Sequence, residues 1–395
     1  MDENKKHILF VIDSMGIGGA EKSLTTLLKL LDYSRYEVDL QLFAYGGSLE
    51  QFLPAEVNVL PQLNYTRFLS QPIWKQFYHP TMLLARLKYS LKIRKRSLLN
   101  SEIASLYWQT IGRHVADNPK HYDVAIAYAQ GIPTFYIIDK VFASKKLVWI
   151  NIDYRLSKST YDYQRSFYKS CDSIVLVSEY VYNVFSEIYP EFTNKMQVVK
   201  DIINAETIES MSQLPSDKIQ VNSYPTLMTA GRLERAQKGY DLALETARVL
   251  KNRKVKFIWY AIGEGPYRSE MEQYIIENNL QDCFILLGAT ANPYAYMCQC
   301  DIYVQPSRRE GFGLTIAEAR ILNKPVVCTN FEGCTMQMVN GKNGLITSFN
   351  PEDIADAIER LLNDKTLYSN IQEYLRNEKK GNTEEIEKFY ELIEG

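Results

Sequence analysis

The sequence has 395 residues, a length that accommodates two α/β domains of ordinary size. Hydrophobic residues make up 46% of it and charged residues 23%, the balance of a globular chain, which excludes wholesale disorder. The formal net charge is −2, so no overall basic field calls for a nucleic-acid partner.

The first apolar run, Ile8–Ile12, is too short for the core of a signal peptide or for a membrane span. No other stretch reaches the roughly 18 uninterrupted apolar residues of a transmembrane helix. We therefore expect a cytoplasmic protein. The cysteines have neither zinc-site nor thioredoxin-type spacing, so we expect buried free thiols.

Short apolar runs alternate with longer segments of helical periodicity along almost the whole chain. The runs are rich in β-branched and aromatic residues, as buried parallel strands are. They are Ile8–Ile12, Val38–Phe43, Val124–Tyr128, Leu147–Ile150, Ile174–Val177, Leu227–Ala230, Phe257–Ile262, Phe284–Leu287, Ile302–Gln305, Val326–Cys328 and Leu345–Thr347. Segments such as Glu21–Leu31, Tyr240–Leu250 and Pro351–Asn363 have apolar residues at helical spacing.

This alternation predicts an α/β protein with two Rossmann-like, doubly wound domains that face a central cleft, where the ligand would bind. We place the first domain at 1–200, a polar linker at 201–223 and the second domain at 224–375. The remaining residues, 376–395, contain a charged amphipathic helix that can cross back to the first domain.

A glycine-rich turn, Ser14–Glu21, follows the first strand and contains Gly18 and Gly19. Backbone N–H groups in such a turn can approach an anion, and the following helix adds a partial positive charge at its N-terminus. The dinucleotide fingerprint is not met, because Glu21 stands at its last glycine. A tight turn with no ligand is the alternative interpretation.

Two cations, Arg232 and Lys238, follow the strand Leu227–Ala230. Loops at this end of a parallel strand face the ligand, and two fixed cations suit a diphosphate leaving group. Solvated loop cations are the alternative. After the next strand, Gly263–Pro266 forms a tight turn that permits close approach of a nucleobase or ribose, although a purely structural turn explains the same residues.

The segment after Ile302–Gln305 carries two glutamates. We expect a helix to begin near Gly313, which puts Glu310 in the loop and Glu318 one to two turns inside the helix. Glu318 can accept paired ribose hydroxyls, and Glu310 can orient a sugar ring. The start of the helix offers N–H donors for a phosphate or sugar oxygen, from Gly311, Phe312, Gly313 and Leu314.

With these motifs the sequence resembles the family-4-type retaining glycosyltransferases of the GT-B fold, the glycosyl transferases group 1. The most specific feature is the pair of glutamates, Glu310 and Glu318. The resemblance implies that a nucleoside-diphosphate sugar, usually of UDP or GDP, binds the second domain and that the first domain takes a saccharide acceptor.

The resemblance also assigns roles to the residues. Arg232 and Lys238 would stabilise the leaving diphosphate, Glu310 would contact the transferred sugar and Glu318 would hold the ribose. Gly18 or Gly19 would meet the phosphates from the first domain, and Gly263 belongs to the donor side. No divalent metal or other cofactor is expected, because cations and helix N-termini take its charge role.

Two positions depart from the family pattern. Many relatives carry a histidine after the strand equivalent to Leu147–Ile150, where this chain has Asn151. Asp153 is the best local substitute, so we place Asn151 and Asp153 on the acceptor side. Gln337 stands where relatives usually have an acid.

Residues 83–96 contain no acid and combine leucines with the cations Arg86, Lys88, Lys92, Arg94, Lys95 and Arg96. This basic amphipathic pattern suits an anionic membrane surface and, with it, a lipid-linked saccharide acceptor. The alternatives are a helix packed on its own domain with a solvated face, or a site for another protein.

Sugar transfer is the leading hypothesis. A nucleotide-sugar hydrolase or epimerase would need an acid/base set that the sequence does not clearly provide. A non-catalytic GT-B partner subunit is favoured slightly by Asn151, but the presence of Glu310, Glu318, Arg232 and Lys238 opposes it.

Overall fold

The computed structural model describes residues 5–94, 100–152, 154–155, 158–215 and 224–395. The chain divides into two units, Met1–Asp201 together with Glu384–Gly395, and Ile202–Thr383. Each unit is built on its own sheet of parallel strands with helices between the strands.

The first unit contains a seven-stranded parallel sheet in the order β3-β2-β1-β4-β5-β6-β7. Its strands are β1 (Lys6–Ile12), β2 (Tyr36–Leu42), β3 (Val57–Val59), β4 (His121–Ala127), β5 (Phe142–Ile150), β6 (Ser173–Leu176) and β7 (Met196–Val198). Its helices before residue 201 are α1 (Gly19–Leu30), α2 (Asn64–Ser70), α3 (Ile73–Gln76), α4 (Pro80–Arg94), α5 (Asn100–Ile111), α6 (Ile132–Lys140), α7 (Lys158–Ser170) and α8 (Glu179–Ile188).

The second unit contains a six-stranded parallel sheet in the order β10-β9-β8-β11-β12-β13. Its strands are β8 (Thr226–Ala230), β9 (Ile258–Ile262), β10 (Phe284–Gly288), β11 (Ile302–Gln305), β12 (Val326–Thr329) and β13 (Gly344–Thr347). Its helices are α9 (Ala205–Ser212), α10 (Tyr240–Asn252), α11 (Arg268–Glu277), α12 (Tyr294–Met297), α13 (Leu314–Ile321), α14 (Pro351–Asn363) and α15 (Lys365–Asn377).

Both sheets are buried on both faces, which explains why the strands read as continuous apolar runs. In β1, residues 8–11 have no solvent exposure at all. Each predicted strand is present, and the two-domain α/β prediction is confirmed. The sequence did not indicate β3 and β7, which have three residues each and lie at the two edges of the first sheet.

The predicted linker at 201–223 is wrong in part. Residues 205–212 form α9, whose N-terminus is capped by the Asn204 side chain, which accepts a hydrogen bond from the Thr207 N–H. Ile208 of this helix packs with Tyr294 and Ile321 of the second unit, so α9 belongs to that unit's core. Residues 216–223 lie outside the described residues.

A last helix, α16 (Glu385–Glu394), returns to the first unit. Its Phe389 ring is fully buried and stacks on Phe10 of β1 with 6.1 Å between the ring centroids. The Lys145 ammonium donates to the Leu392 carbonyl at 2.8 Å, which satisfies a carbonyl at the negative end of the helix. The return starts at Glu384, not at the predicted 376, because α15 continues to Asn377.

The two sheets share one topological feature that positions ligands. In the first unit the chain continues from β1 toward one edge of the sheet and from its neighbour β4 toward the other edge. In the second unit β8 and β11 are the corresponding neighbours. Ligands of doubly wound sheets bind outside the carboxyl ends of the strands at such a switch point.

Candidate active site

In the second unit, two loops that carry predicted site residues meet at the switch point. The loop after β8 runs over 231–239 and the loop after β11 over 306–313. Arg308 joins them: its backbone N–H donates to the Gln237 carbonyl at 2.7 Å, and its guanidinium binds both carboxylate oxygens of Asp241 at 2.7 and 2.8 Å. A bidentate pair of this kind fixes orientation, so the two loops form one structure.

Close backbone packing explains two of the glycines. Gly263 allows the turn after β9 to lie against the loop after β8, because a Cβ at Gly263 would come within 1.8 Å of the Gly231 carbonyl oxygen. Gly239, at the start of α10, has φ +67 and would bring a Cβ within 1.9 Å of the Pro306 carbonyl oxygen. The site therefore depends on backbone approach that only glycine permits.

We expect Gly239→Ala to lower the free energy of unfolding by about 2 to 4 kcal/mol, because it adds a steric clash to a left-handed backbone conformation. Gly341 is the matched control: its φ is +78, and a Cβ there would have nothing within 4 Å. Gly341→Ala should cost about 1 kcal/mol from backbone conformation alone. Urea unfolding of both variants measures the difference, and equal destabilisation would contradict the clash at Gly239.

The centre of the site is an ion pair that the sequence did not indicate. The Lys238 Nζ atom lies 2.8 Å from both carboxylate oxygens of Glu310, and the Glu310 side chain is only 8% exposed. Oε1 of Glu310 also accepts from the Gln305 amide at 2.8 Å and from the Ser307 hydroxyl at 2.6 Å. Among the described residues, Oε2 accepts only from Lys238, so it keeps acceptor capacity for another donor.

A buried polar network lies behind this carboxylate. Gln305, at the end of β11, accepts at its Oε1 from the Tyr303 hydroxyl at 2.9 Å and from the Thr315 hydroxyl at 3.0 Å. With its oxygen held by these two donors, the Gln305 amide nitrogen must point to Ser307 and Glu310. The network thus fixes the orientation of Glu310 before any ligand arrives.

The second predicted cation, Arg232, differs from Lys238. Its side chain is exposed, and it has no ion-pair partner among the residues that the structure describes. A guanidinium in this position can turn toward a phosphate with no internal ion pair to break.

Helix α13 begins at Leu314 as predicted, after Gly313 with φ +80. Glu318 lies inside the helix and is only 2% exposed. Its Oε1 accepts from the Tyr294 hydroxyl of α12 at 2.9 Å, and burial together with the Glu318 charge raises the pKa of Tyr294 well above its usual value. The sequence did not indicate that Tyr294 is a hydrogen-bond partner of Glu318.

Gln337 has a structural role that suits its neutral amide. The Arg320 guanidinium of α13 donates to its Oε1 at 2.7 Å, and its amide nitrogen donates to the Phe312 carbonyl at 3.4 Å. Arg320 is already neutralised by Glu378, which it binds at 2.7 and 3.0 Å. The amide thus connects α13 to the loop that holds Phe312.

In the first unit, the glycine-rich turn follows β1 as predicted, and α1 begins at Gly19. The Glu21 carboxylate folds back against Gly18: a Cβ at Gly18 would lie 2.1 Å from Glu21 Oε2. This acid sits at the positive end of α1, where a phosphate would otherwise bind. Contact of Gly18 or Gly19 with phosphates therefore stays a prediction, and the Glu21 carboxylate would compete with a phosphate for this position.

Asn151 follows β5 as predicted. Its backbone N–H donates to the Gln130 side chain at 3.1 Å, and its amide nitrogen donates to the Tyr128 carbonyl at 2.7 Å. Its Oδ1 is buried and has no hydrogen-bond partner within the described ranges. Asp153 lies outside the described residues.

A buried acid lies in the interior of the first unit. Burial raises the pKa of Asp201 to about 7, although a hydrogen bond from Ser23 partly opposes this shift. The Ser23 hydroxyl in turn lies 2.9 Å from the Tyr128 hydroxyl. The folded state therefore holds a proton on Asp201 up to near-neutral pH, whereas the unfolded chain releases it near pH 4.

We expect Asp201→Asn to stabilise the protein increasingly as pH rises. The folded form of the natural chain binds more protons than the unfolded form between about pH 4 and 7, so its stability falls across that window, by roughly 2 to 3 kcal/mol between pH 5 and 8. The neutral amide does not titrate. Urea unfolding at both pH values measures the gap between the two proteins, and a gap independent of pH would contradict the buried proton.

Comparisons with known proteins bear on the fold and on the second unit. Residues 214–378 match the family model of the glycosyl transferases group 1. The chain is 28% identical over 204 residues to an uncharacterized glycosyltransferase of Methanocaldococcus jannaschii, covering 51% of this chain and 53% of that protein. It is 25% identical over 178 residues to the N-acetylgalactosamine-N,N'-diacetylbacillosaminyl-diphospho-undecaprenol 4-alpha-N-acetylgalactosaminyltransferase of Campylobacter jejuni, covering 45% of this chain and 44% of that protein. The chain spans about half the length of these curated relatives.

Among solved structures, the chain is similar to Anabaena Alr3699/HepE, crystallised in complex with UDP and glucose. The TM-score is 0.70 at 18% identity, and the match covers 99% of this chain and 100% of that chain. At this identity the likeness shows the fold. The chain therefore has the GT-B fold with two Rossmann-like domains, and residues 214–378, which lie in its second unit, match the family model of the glycosyl transferases group 1.

Proposed function

We propose that this protein is a retaining glycosyltransferase that moves a sugar from a nucleoside-diphosphate sugar, with a UDP-sugar favoured, to a saccharide acceptor in the synthesis of a surface polysaccharide or glycoconjugate. The observation that carries the proposal is the Lys238–Glu310 pair at the switch point of a group 1 domain. The pair brings into direct contact the cation to which we assign the diphosphate and the carboxylate to which we assign the transferred sugar.

The two members of the pair have bonding capacity left for a donor. An ammonium group has three N–H donors, and two of those of Lys238 point to Glu310, which leaves one for a diphosphate oxygen. Glu310 Oε2 can accept from a hydroxyl of the transferred sugar. Arg232 adds a second cation as the bond between the sugar and the phosphate breaks.

The proton balance needs no separate base. The sugar C1–O bond to the diphosphate breaks, the acceptor oxygen bonds to C1 on the same face, and the acceptor proton passes to the leaving phosphate oxygen. Lys238, Arg232 and the N–H groups at the start of α13 stabilise the charge that develops on that phosphate. A histidine at position 151 is therefore dispensable in this scheme.

Asn151 is suited to positioning instead. Its bonds to Gln130 and to the Tyr128 carbonyl would hold the backbone at the end of β5 in place for the acceptor, and a neutral amide takes no proton from it. We keep Asp153 as the second acceptor-side residue. Lys238 and Arg232 also take the charge role of a divalent metal, so we expect transfer to persist in EDTA.

For the acceptor we propose a lipid-linked saccharide on the cytoplasmic face of a membrane, with the protein bound peripherally through residues 83–96. The name of the Campylobacter relative includes a diphospho-undecaprenol acceptor, which supports this choice. In the described part of the chain, no helix combines the length and the apolar composition that crossing a bilayer requires.

The test is incubation with a panel of UDP- and GDP-sugars, with and without lipid-linked saccharides, while nucleotide release and product mass are followed. Acceptor-dependent product whose anomeric configuration matches that of the donor supports the proposal. Nucleotide release that does not depend on acceptor indicates a hydrolase or epimerase. Donor binding without turnover indicates a non-catalytic partner subunit.

A further inference from the structure

Among the described residues, the largest group of exposed apolar side chains lies on α3, on α4 and on the short segment between them in the first unit. Seven such residues are each more than half exposed, and we call them the α3–α4 surface. They are Ile73, Trp74, Phe77, Tyr78, Leu84, Leu87 and Leu91. Soluble proteins rarely expose many apolar side chains together, so a group of this size marks an interaction site.

The leucines of α4 lie together. Leu84, Leu87 and Leu91 are spaced three and four residues apart, which places them on one side of the helix. Helix α4 does pack on its own domain, where the rings of Tyr89 and Tyr107 of α5 meet edge to face at 5.5 Å, but these three leucines lie on its exposed side. Only Ala85 of this helix is fully buried.

The two helices hold a fixed relation to each other. Arg86 of α4 donates to the side-chain oxygen of Gln76, which is the last residue of α3 and is only 2% exposed. The aromatic residues of α3 and the leucines of α4 are thus parts of one structure. Arg86 is occupied by this bond, so it is not among the cations that face solvent freely.

The segment that carries this surface has charges of one sign only. From residue 57 to residue 101 the chain has no Asp or Glu, although it carries eight Lys and Arg residues and the whole protein has a net charge of −2. Lys75, Lys88, Lys92 and Arg94 are exposed beside the apolar side chains. Lys95 and Arg96 lie outside the described residues.

We propose that the α3–α4 surface docks on an anionic lipid bilayer, with Trp74, Phe77 and the leucines entering the interfacial layer and the lysines binding lipid headgroups. Trp and Tyr favour the membrane–water interface, and cations beside them favour anionic lipid. A segment without acids from residue 57 to residue 101 matches a uniformly negative bilayer better than the mixed charges of a protein partner. The inference rests on the proposed function, in which a lipid-linked acceptor brings the protein to a membrane.

The test is flotation of the full chain with vesicles of phosphatidylcholine, alone or with phosphatidylglycerol, at low and physiological salt. The natural protein should float with the anionic vesicles and remain unbound with the neutral ones. Trp74→Ser/Phe77→Ser and Lys88→Gln/Lys92→Gln should each raise the lipid concentration for half-binding by about tenfold or more. Phe142→Ser and Lys342→Gln/Lys365→Gln are matched controls, with equally exposed residues elsewhere, and should bind as the natural protein does.

Two results would overturn the proposal. One is absence of flotation with anionic vesicles at either salt concentration. The other is self-association of the natural protein in sedimentation velocity that Trp74→Ser/Phe77→Ser abolishes while flotation is unchanged, because the surface would then join two copies of the chain. UDP binding, measured by calorimetry on the same variants, should be unaffected, so a failure of docking is distinguishable from a failure of the proposed enzyme activity.

Discussion

Glu310→Gln is expected to lower the turnover number of sugar transfer by about 10²- to 10³-fold while changing UDP affinity by less than about threefold. The amide keeps the size of the side chain but removes the negative charge that Lys238 meets at 2.8 Å and weakens the acceptor that we assign to the transferred sugar. In the natural protein the amide nitrogen of Gln305 donates to Glu310. Glu310→Gln brings a second N–H₂ group close to that nitrogen.

Initial rates at saturating donor and calorimetric titration with UDP measure the two effects separately. Glu359→Gln is the matched control, because it removes a carboxylate from an ion pair with Arg253 in the same unit, away from the switch point. A parallel loss of UDP affinity in Glu310→Gln would move Glu310 from the sugar to the nucleotide. An unchanged turnover number would remove it from the active site.

The second large effect is expected at Glu318. Glu318→Gln should weaken UDP binding by about 10- to 100-fold, with a smaller change of turnover at saturating donor, because a carboxylate accepts from both ribose hydroxyls and an amide oxygen cannot replace both acceptors. The buried position of Glu318 strengthens the effect, since polar groups in a dry site have no water to compensate them.

Tyr294→Phe separates ligand contact from internal packing. This change leaves the Glu318 carboxylate in place and removes only the hydroxyl that donates to its Oε1 at 2.9 Å. If Glu318 holds the ribose, Tyr294→Phe should weaken UDP binding much less than Glu318→Gln does. Equal losses in the two variants, or none in either, would show that Glu318 serves the packing of α12 against α13 instead.

Much of the fold is present in local sequence patterns. The helical spacing of Pro351–Asn363 predicts α14, and the structure shows the Asn350 side chain capping that helix by accepting from the Glu352 N–H at 3.2 Å. Buried strands are similarly visible as apolar runs. By contrast, β3 has exposed residues at Asn58 and Val59, so nothing in its composition separates it from a loop. Its pairing with β2 is a tertiary effect.

The sequence predicts the candidate site residues one by one but not how they pair. The sequence placed Lys238 and Glu310 in two different loops, 72 positions apart. Their contact depends on β8 and β11 being neighbours in the sheet, an order that no local pattern encodes. One signal was available for Gln305: it lies two residues after Tyr303 in the same strand, so both side chains leave the same face of the sheet.

Helix α4 shows a case in which a clear sequence pattern does not predict burial. The leucines of α4 have the spacing of a buried helix face, and only the structure shows that Leu84, Leu87 and Leu91 face solvent. Periodicity reports which side chains share a face. It does not report whether that face meets a core.

The return of α16 to the first unit has a consequence for how the chain is made. The sheet of the first unit is complete by residue 198, yet Phe10 of its central strand is stacked by Phe389, almost the whole length of the chain later. During synthesis the second unit, which is continuous from Ile202 to Thr383, has all of its residues before the first unit does. The order in which the two units can finish folding is therefore the reverse of the order in which they begin to emerge from the ribosome.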